Sequence, residues 1–488
     1  MNDLKAQGTK AFIWDFTGRL VSHGMTFFVS IILARLLEPS DFGFVAMVIV
    51  IIVIVGAFSE GGLSVALVQK RRILPIHYSS VFYFNIITSV LLTLLLFLSA
   101  PWIAYFYNNQ ALIPLVKVIS FSFIIGAFSI VQRAKLQKEL NYALLTKITL
   151  IAVFFGGVVG VSLALYGAGV WSLVALELTQ GIVYTIVVWS VAQWKPSWQF
   201  SLKALMELWA FGFRMFLSGF LTKIFMQLDT IIIGKLFAPA TLGFFNRAKA
   251  LDQMVINYSS GSLTAVLFPV LSKVQNDLQR FQNIIIKSLG VIVFIVFLLL
   301  GGLYLVSHEL IMLLFGEKWL QSVDYFKILV LGSFGFPIRA LLNNVLTSRG
   351  NSKAFLRLEI YTKVILSVNF VVLYLWGINA FLYGLVVVAF LNTLITILFA
   401  SSEIKLPFLL FVKPIFLQMG ITIITVVSTI LVTQDMEKIN IIMLMIKGSI
   451  FTFFYVSLNY FMKTSSFNYF LEQIIPMINK KFRNQSNN

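Results

Sequence analysis

The sequence has no cysteine, which excludes disulfides and thiolate metal sites. Histidine occurs three times, at His23, His77 and His308, with no metal-ligand spacing among them. No metal and no cofactor is therefore expected. Charge is scarce too: 11% of residues are Asp, Glu, Lys or Arg, and the acidic ones number 19 against 37 basic. There is no Walker A sequence, no paired-Asp motif in an aqueous loop and no Ser/His/Asp constellation. The polar loops are too short to hold an ATPase or a nucleotide-sugar domain. The chain does not read as an enzyme.

What the chain has in abundance is apolar. Hydrophobic residues make up 59% of 488, a composition no water-soluble chain of this length carries. A crossing helix needs about 20 mostly apolar residues. Fourteen segments qualify, near 11–34, 42–68, 79–105, 113–132, 148–165, 170–192, 208–234, 242–271, 288–306, 323–347, 355–376, 380–402, 414–432 and 441–462. The eighth is unusually polar and the eleventh starts among charges. No cleavable signal is expected, because the first apolar run follows Lys5 and Lys10 directly and leads into further spans. The expected fold class is an all-α polytopic membrane protein.

The net charge of +18 resembles that of a nucleic-acid binder, but the charges are placed differently. Of the basic residues flanking the spans, 24 fall on one side, from Lys5 and Lys10 through Lys70, Arg71 and Arg72 to Lys480, Lys481 and Arg483. The other side holds 4: Arg35, Lys235, Lys318 and Lys438. The positive-inside rule puts the richer side, and with it both termini, in the cytoplasm. An even number of spans requires the same. Nucleic acid is thus not a partner, whereas membrane lipids are. Trp102, Trp171, Trp194, Trp198 and Trp376 fall at span ends, where aromatic belts sit. After Lys463, the stripe Phe467, Phe470, Ile474 and Ile478 reads as an interfacial helix.

One stretch occurs twice. Ile32-Leu33-Ala34-Arg35-Leu36-Leu37-Glu38-Pro39-Ser40-Asp41-Phe42-Gly43-Phe44 returns 200 residues later as Ile232-Ile233-Gly234-Lys235-Leu236-Phe237-Ala238-Pro239-Ala240-Thr241-Leu242-Gly243-Phe244. Phe106 corresponds to Phe315, Lys117 to Lys327 and Tyr166 to Trp376, at offsets of 209–210. The chain thus reads as a duplication. Residues 1–200 form an N-lobe of six spans and 201–405 a C-lobe of six. Two extra spans occupy 406–463, and 464–488 is a cytoplasmic tail. Six is even, so the two lobes are parallel repeats about a pseudo-two-fold axis along the membrane normal.

The chemistry should lie where the bilayer would otherwise reject a residue. A charge at a helix centre costs about 2.5–3.5 kcal/mol on insertion scales. The first span carries Asp15, Arg19, Ser22, His23, Thr26 and Ser30 on one helical face. Its repeat partner carries Arg214, Ser218, Thr222, Lys223 and Asp229, and the eighth span carries Asn246, Arg247 and Asp252. Glu60, Glu177 and Arg339 add to these. Such faces line a wet cavity, and its basic excess calls for an anionic group such as phosphate or diphosphate, which arginine grips with a bidentate fork. Arg19, His23, Arg214, Lys223, Arg247 and Arg339 are the candidate substrate-binding residues. Asp15, Glu60, Glu177, Asp229 and Asp252 are the candidates for coupling transport to an ion. Blander readings stay open. Asp15 and Arg19 also suit a structural ion pair, Lys117, Lys249, Lys327 and Lys447 also suit snorkelling, and the hydroxyls also suit helix–helix contacts.

The run from Gly18-Arg19 through Gly43, with Phe58-Ser59-Glu60-Gly61-Gly62-Leu63, Asn246-Arg247-Ala248, Leu267-Phe268-Pro269-Val270-Leu271-Ser272-Lys273 and Leu314-Phe315-Gly316-Glu317-Lys318-Trp319, resembles a known family. It is that of the polysaccharide exporters of the multidrug/oligosaccharidyl-lipid/polysaccharide superfamily, closest to the Wzx-type branch of colanic-acid and teichuronic-acid exporters. The resemblance covers the chain to about residue 405. It implies a V-shaped, two-lobed, alternating-access flippase of the bacterial inner membrane. The implied cargo is undecaprenyl-diphosphate-linked oligosaccharide, with polysaccharide polymerase and chain-length proteins as partners. Related peptidoglycan-precursor flippases keep cations in the first, second and eighth spans. Arg19 and Arg247 hold comparable places here, while the second span has only Glu60. The alternative within the fold is a cation-coupled small-molecule exporter of the MATE type, whose cavity would lean acidic. A polymerase or ligase would need a large outer loop. Reporter fusions at either terminus are expected to report from the cytoplasm only, and a periplasmic signal at either end would overturn the topology.

Overall fold

The computed structural model describes residues 2–434 and 441–472, with the backbone alone for 2–13, 60, 255 and 257–266. Among the described residues all regular structure is helical. The helices are α1 (Asn2–Leu36), α2 (Pro39–Glu60), α3 (Leu63–Gln69), α4 (Pro75–Phe106), α5 (Leu112–Ile119), α6 (Ser122–Lys138), α7 (Tyr142–Leu165), α8 (Val170–Val191) and α9 (Leu202–Leu236). They continue as α10 (Pro239–Lys273), α11 (Leu278–Leu305), α12 (Ser307–Phe315), α13 (Leu320–Ser333), α14 (Gly335–Ser348), α15 (Ser352–Ile404), α16 (Phe408–Thr433) and α17 (Ile441–Phe461). Pro39, Pro75 and Pro239 each open a helix, where a missing N–H costs nothing.

Among the described residues, 12 segments are long and apolar enough to cross a membrane. The sequence expectation of fourteen differs at two places. α10 is long enough at 35 residues but includes 255 and 257–266, whose side chains the structure does not describe, and so falls outside the count. α15 counts once, yet its 53 residues are broken at Gly377, whose φ of 81° and ψ of −175° are not helical. An unbroken helix of that length would run about 80 Å, against a hydrocarbon core of about 30 Å.

By packing, the chain forms two compact units, Met1–Asn246 and Arg247–Asn488. The first unit takes in α9, which the duplication assigns to the second repeat, because α9 packs on α2, α3 and α4. Gly62, at φ 69°, abuts the Gly212 carbonyl so closely that a Cβ would collide with it. The Phe58 ring stands 4.9 Å from Phe216 and 5.0 Å from Phe220. Ser79 Oγ is 2.9 Å from Ser197 Oγ, and Ser201 N–H donates to Ser80 Oγ at 2.9 Å, pinning the connection before α9 to the start of α4. The two motif copies meet reciprocally. A Cβ on Gly43 would collide with the Pro239 carbonyl, and one on Gly243 with the Pro39 carbonyl. Elsewhere in this unit α1 packs on α7, α7 on α8, and α6 on α4 and α8.

In the second unit α13 and α14 pack on α15, and α11 packs on α16. Glu403 accepts from Arg349 Nε at 3.1 Å and Asn351 Nδ2 at 2.7 Å, while Arg349 Nη1 donates to the Gln275 carbonyl at 2.9 Å. The extra C-terminal helices are fastened by a buried polar network. Tyr455 Oη donates to Gln418 Oε1 at 2.5 Å and lies 3.0 Å from the Phe294 carbonyl, and Gln418 Nε2 donates to Asn459 Oδ1 at 2.5 Å. The start of the tail, helical over 465–472, also docks on α11. Phe467 and Phe470 stand 5.4 and 4.8 Å from the Phe294 ring, and Lys287 pairs with Glu472 at 2.9 Å. Those two phenylalanines pack on protein, where the sequence expected an interface with lipid. Ile474 and Ile478 lie outside the described residues.

The reciprocal glycines can be tested against glycines with room. Gly43→Val or Gly243→Val should cost about 1–3 kcal/mol or more, read as a lower thermal midpoint of the purified protein. Gly126→Ala, where a Cβ meets nothing within 4 Å, should stabilise α6 by about 0.5–1 kcal/mol.

Candidate functional site

The candidate residues of the first unit lie mostly on its surface. Asp15 and Arg19, one turn apart on α1, form an ion pair of 2.9 Å, with the Arg19 side chain 71% exposed. His23, one turn further along the same face, is exposed. On α9, Arg214 is exposed and donates its Nε–H to the Ala210 carbonyl at 2.9 Å. Lys223 and Asp229 are half-buried, and Asp229 accepts from the Thr230 N–H at 2.7 Å. Glu177 is exposed on α8. Glu60 closes α2, and its side chain lies outside what the structure describes. The segments bearing Arg19 and Arg214, Trp14–Leu36 and Leu202–Leu236, qualify as membrane spans. An exposed charge on such a helix is costly in lipid and is eased by pairing, by snorkelling or by water beside it.

The candidates of the second unit sit deeper. Arg247 is 8% exposed, with its guanidinium carbon 4.9 Å from the Phe315 ring and 5.2 Å from Trp319. Flanking aromatic faces attract the cation and hold its plane. Both aromatics belong to the Leu314–Trp319 stretch singled out in the sequence. Asp252, five residues on, is 7% exposed and accepts from Ser333 Oγ at 2.5 Å. Arg339 is half-buried, 4.6 Å over the Phe336 ring, with Nε donating to the Gly335 carbonyl at 3.3 Å. The structure thus joins Asp15 to Arg19 directly, while Arg247 and Asp252 share α10 but have different partners.

Three charge clusters were not legible in the sequence. Glu207 on α9 takes Lys70 at 2.5 Å and His77 Nε2 at 3.1 Å. His77 Nδ1 accepts the Leu74 N–H at 3.2 Å, which makes Nε2–H the donor to Glu207. Lys138 donates to the Leu67, Val68 and Lys70 carbonyls and so caps α3. Lys447, read as snorkelling, instead pairs with Glu309, whose side chain is 7% exposed. The ion-pair partners lie 137, 130 and 138 residues apart and the Lys138 partners 68–71, and no local spacing announces them. Among the described residues no group of His, Cys, Asp and Glu could hold a metal ion.

The buried pair predicts a pattern. Lys447→Leu or Glu309→Leu alone strands a charge and should destabilise by about 3–5 kcal/mol, whereas the double substitution should recover most of the loss. Thermal midpoints of the three variants check this.

Comparison with known proteins places these features. The chain is 28% identical over 300 residues to the teichuronic acid biosynthesis protein TuaB of Bacillus subtilis (strain 168), covering 60% of this chain and 61% of that protein. The matched stretch is therefore less than two thirds of that relative. It is 25% identical over 335 residues to the lipopolysaccharide biosynthesis protein WzxC of Escherichia coli (strain K12), covering 67% and 68%. In fold it is similar to the lipid II flippase MurJ in an inward closed conformation, with a TM-score of 0.72 at 15% identity over 93% of this chain and 100% of that one. Residues 32–324, more than half of the chain, match the family described as polysaccharide biosynthesis protein, and the chain belongs to that family.

Proposed function

We propose that the protein flips polyprenyl-diphosphate-linked oligosaccharide units, with undecaprenyl as the carrier, from the inner to the outer leaflet of a bacterial cytoplasmic membrane for polysaccharide assembly. The observation that carries this reading is the exposure of Arg19, His23 and Arg214 on membrane-crossing helices. Exposed cations at that depth need a wet path and an anionic visitor, and a diphosphate supplies the anion. Family membership and relatives named for teichuronic acid and lipopolysaccharide biosynthesis support a glycan attached to it. The protein acts as a transporter and makes or breaks no bond.

In this reading the lobes 1–200 and 201–405 alternate access, with fourteen spans and both termini in the cytoplasm. The spans of 406–463 and the tail 464–488 lie outside the duplicated core. Arg19, His23 and Arg214 receive the diphosphate, Lys223 stands next along α9, and Arg247 and Arg339 supply further cations. Phe315 and Trp319 keep the Arg247 plane fixed, which lowers the entropy lost on contact. Asp15, Glu60, Glu177, Asp229 and Asp252 couple the movement to a cation gradient. Protonation or ion binding there would favour one access state over the other. A polymerase and chain-length proteins receive the product. The basic lean of the residues argues against a cationic drug as cargo.

Flipping of lipid-linked oligosaccharide in proteoliposomes tests the proposal. Each charge-assisted contact is worth about 1.5–3 kcal/mol, so Arg19→Ala, Arg214→Ala, Lys223→Ala or Arg247→Ala should slow flipping about tenfold or more. Arg→Lys keeps charge without the fork and should cost less. Normal rates in all four alanine variants at normal abundance would remove the site. Equal wild-type rates with and without a proton or sodium gradient would remove the coupling role of the five carboxylates.

A further inference from the structure

α2 and α3 are one segment interrupted near its end. α2 stops at Glu60 and α3 resumes at Leu63, joined through Gly61 at φ 51° and Gly62 at φ 69°. Such an end leaves backbone carbonyls without helical amides and turns the negative pole of the α2 dipole toward the break. On its own this makes no site.

Three buried side chains nearby change that. Ser59, in the last turn of α2, has its Oγ 2.6 Å from Ser89 Oγ on α4. One turn earlier on the same face of α4, Asn85 is 0% exposed, and among the described residues neither of its amide atoms finds a partner. Gly61, in the break, would place a Cβ 3.8 Å from the Phe84 ring, next to Asn85. α2 and α4 pack on each other. A buried amide without a partner costs more than the fold gains from an ordinary hydrogen bond, so Asn85 beside the hydroxyl pair needs a guest.

The donors on offer are two hydroxyls, the Asn85 amide carbonyl and helix-end carbonyls. All are hard and neutral. Divalent cations are usually held by carboxylates, and transition metals prefer nitrogen or sulfur. Interrupted helices in transporters present free carbonyls to sodium in this manner. We propose that Ser59, Asn85 and Ser89, with the carbonyl end of α2, form a site for a small monovalent cation of sodium size. The ion would tie the α2–α3 break to α4. The site uses none of the cations assigned to the cargo. Water satisfies amides equally well but gains less from the helix pole, and the experiment separates the two.

Thermal unfolding of the purified full chain in nanodiscs, with sodium chloride exchanged for choline chloride at constant ionic strength, reads the site. The wild-type midpoint should rise saturably by a few degrees with sodium. Asn85→Leu should abolish the rise, and Ser89→Ala should shift it at least tenfold to higher sodium. Ser89→Ala, which removes one oxygen, carries the test if Asn85→Leu does not accumulate. A wild-type midpoint indifferent to both sodium and potassium overturns the proposal and leaves water as the amide's partner. A sodium response unchanged in both variants overturns it as well.

Discussion

Hydrocarbon does not tolerate a polar group without a partner, and that constraint sorts the described ionisable residues named here. Some are neutralised by the fold itself. Glu309 pairs with Lys447, Glu403 takes Arg349 and Asn351, and Asp252 accepts from Ser333. Others are held by aromatic rings, as Arg247 is by Phe315 and Trp319. A third set, Arg19, His23 and Arg214, is presented outward on the polar faces of two otherwise apolar spans. Packing leaves the third set facing outward, and under the proposed function it is there that a passing anion would bind.

The same constraint governs the backbone. A span has to be helical throughout, so breaks such as Gly61–Gly62 and Gly377 expose carbonyls that need another partner. At Gly61–Gly62 the break falls where α3 and α9 close on each other, and Gly62 is the residue that lets the Gly212 carbonyl approach. Glycine there serves two ends at once: a left-handed φ and the absence of a Cβ.

The fold class was readable because apolar length acts locally and adds up along the chain. Pro39, Gly43, Pro239 and Gly243 were readable as a repeated turn, and the structure brings the two turns into mutual contact. The polar stripe on α1 was readable from helical spacing alone. What escaped were pairings over long separations, since nothing near Glu207 in sequence points to Lys70 or His77. The same holds for Phe467 and Phe470. An apolar stripe beside lysines has the pattern of an interfacial helix, and only the Phe294 ring reveals that protein covers it. The buried amides Asn85 and Gln132 escaped because an amide in an apolar run reads as an incidental polar residue until its burial is known.

Repeat and packing divide the chain differently, and the reason is mechanical. The duplication assigns α9 to the second copy because its last turns carry the second motif. The packing assigns it to the first unit because Gly212, Glu207 and Phe216 bind it to α2, α3 and α4. Lys235, inside the second motif, donates to the Phe106 carbonyl and stands 5.1 Å over the Phe106 ring, so this end of α9 is fastened as well. A helix held at both ends and exposed along its middle, where Arg214 and Ser218 lie, keeps its polar face in a fixed direction. If the proposed function holds, a cation mounted in this way loses little backbone freedom when it meets a bulky lipid-linked anion.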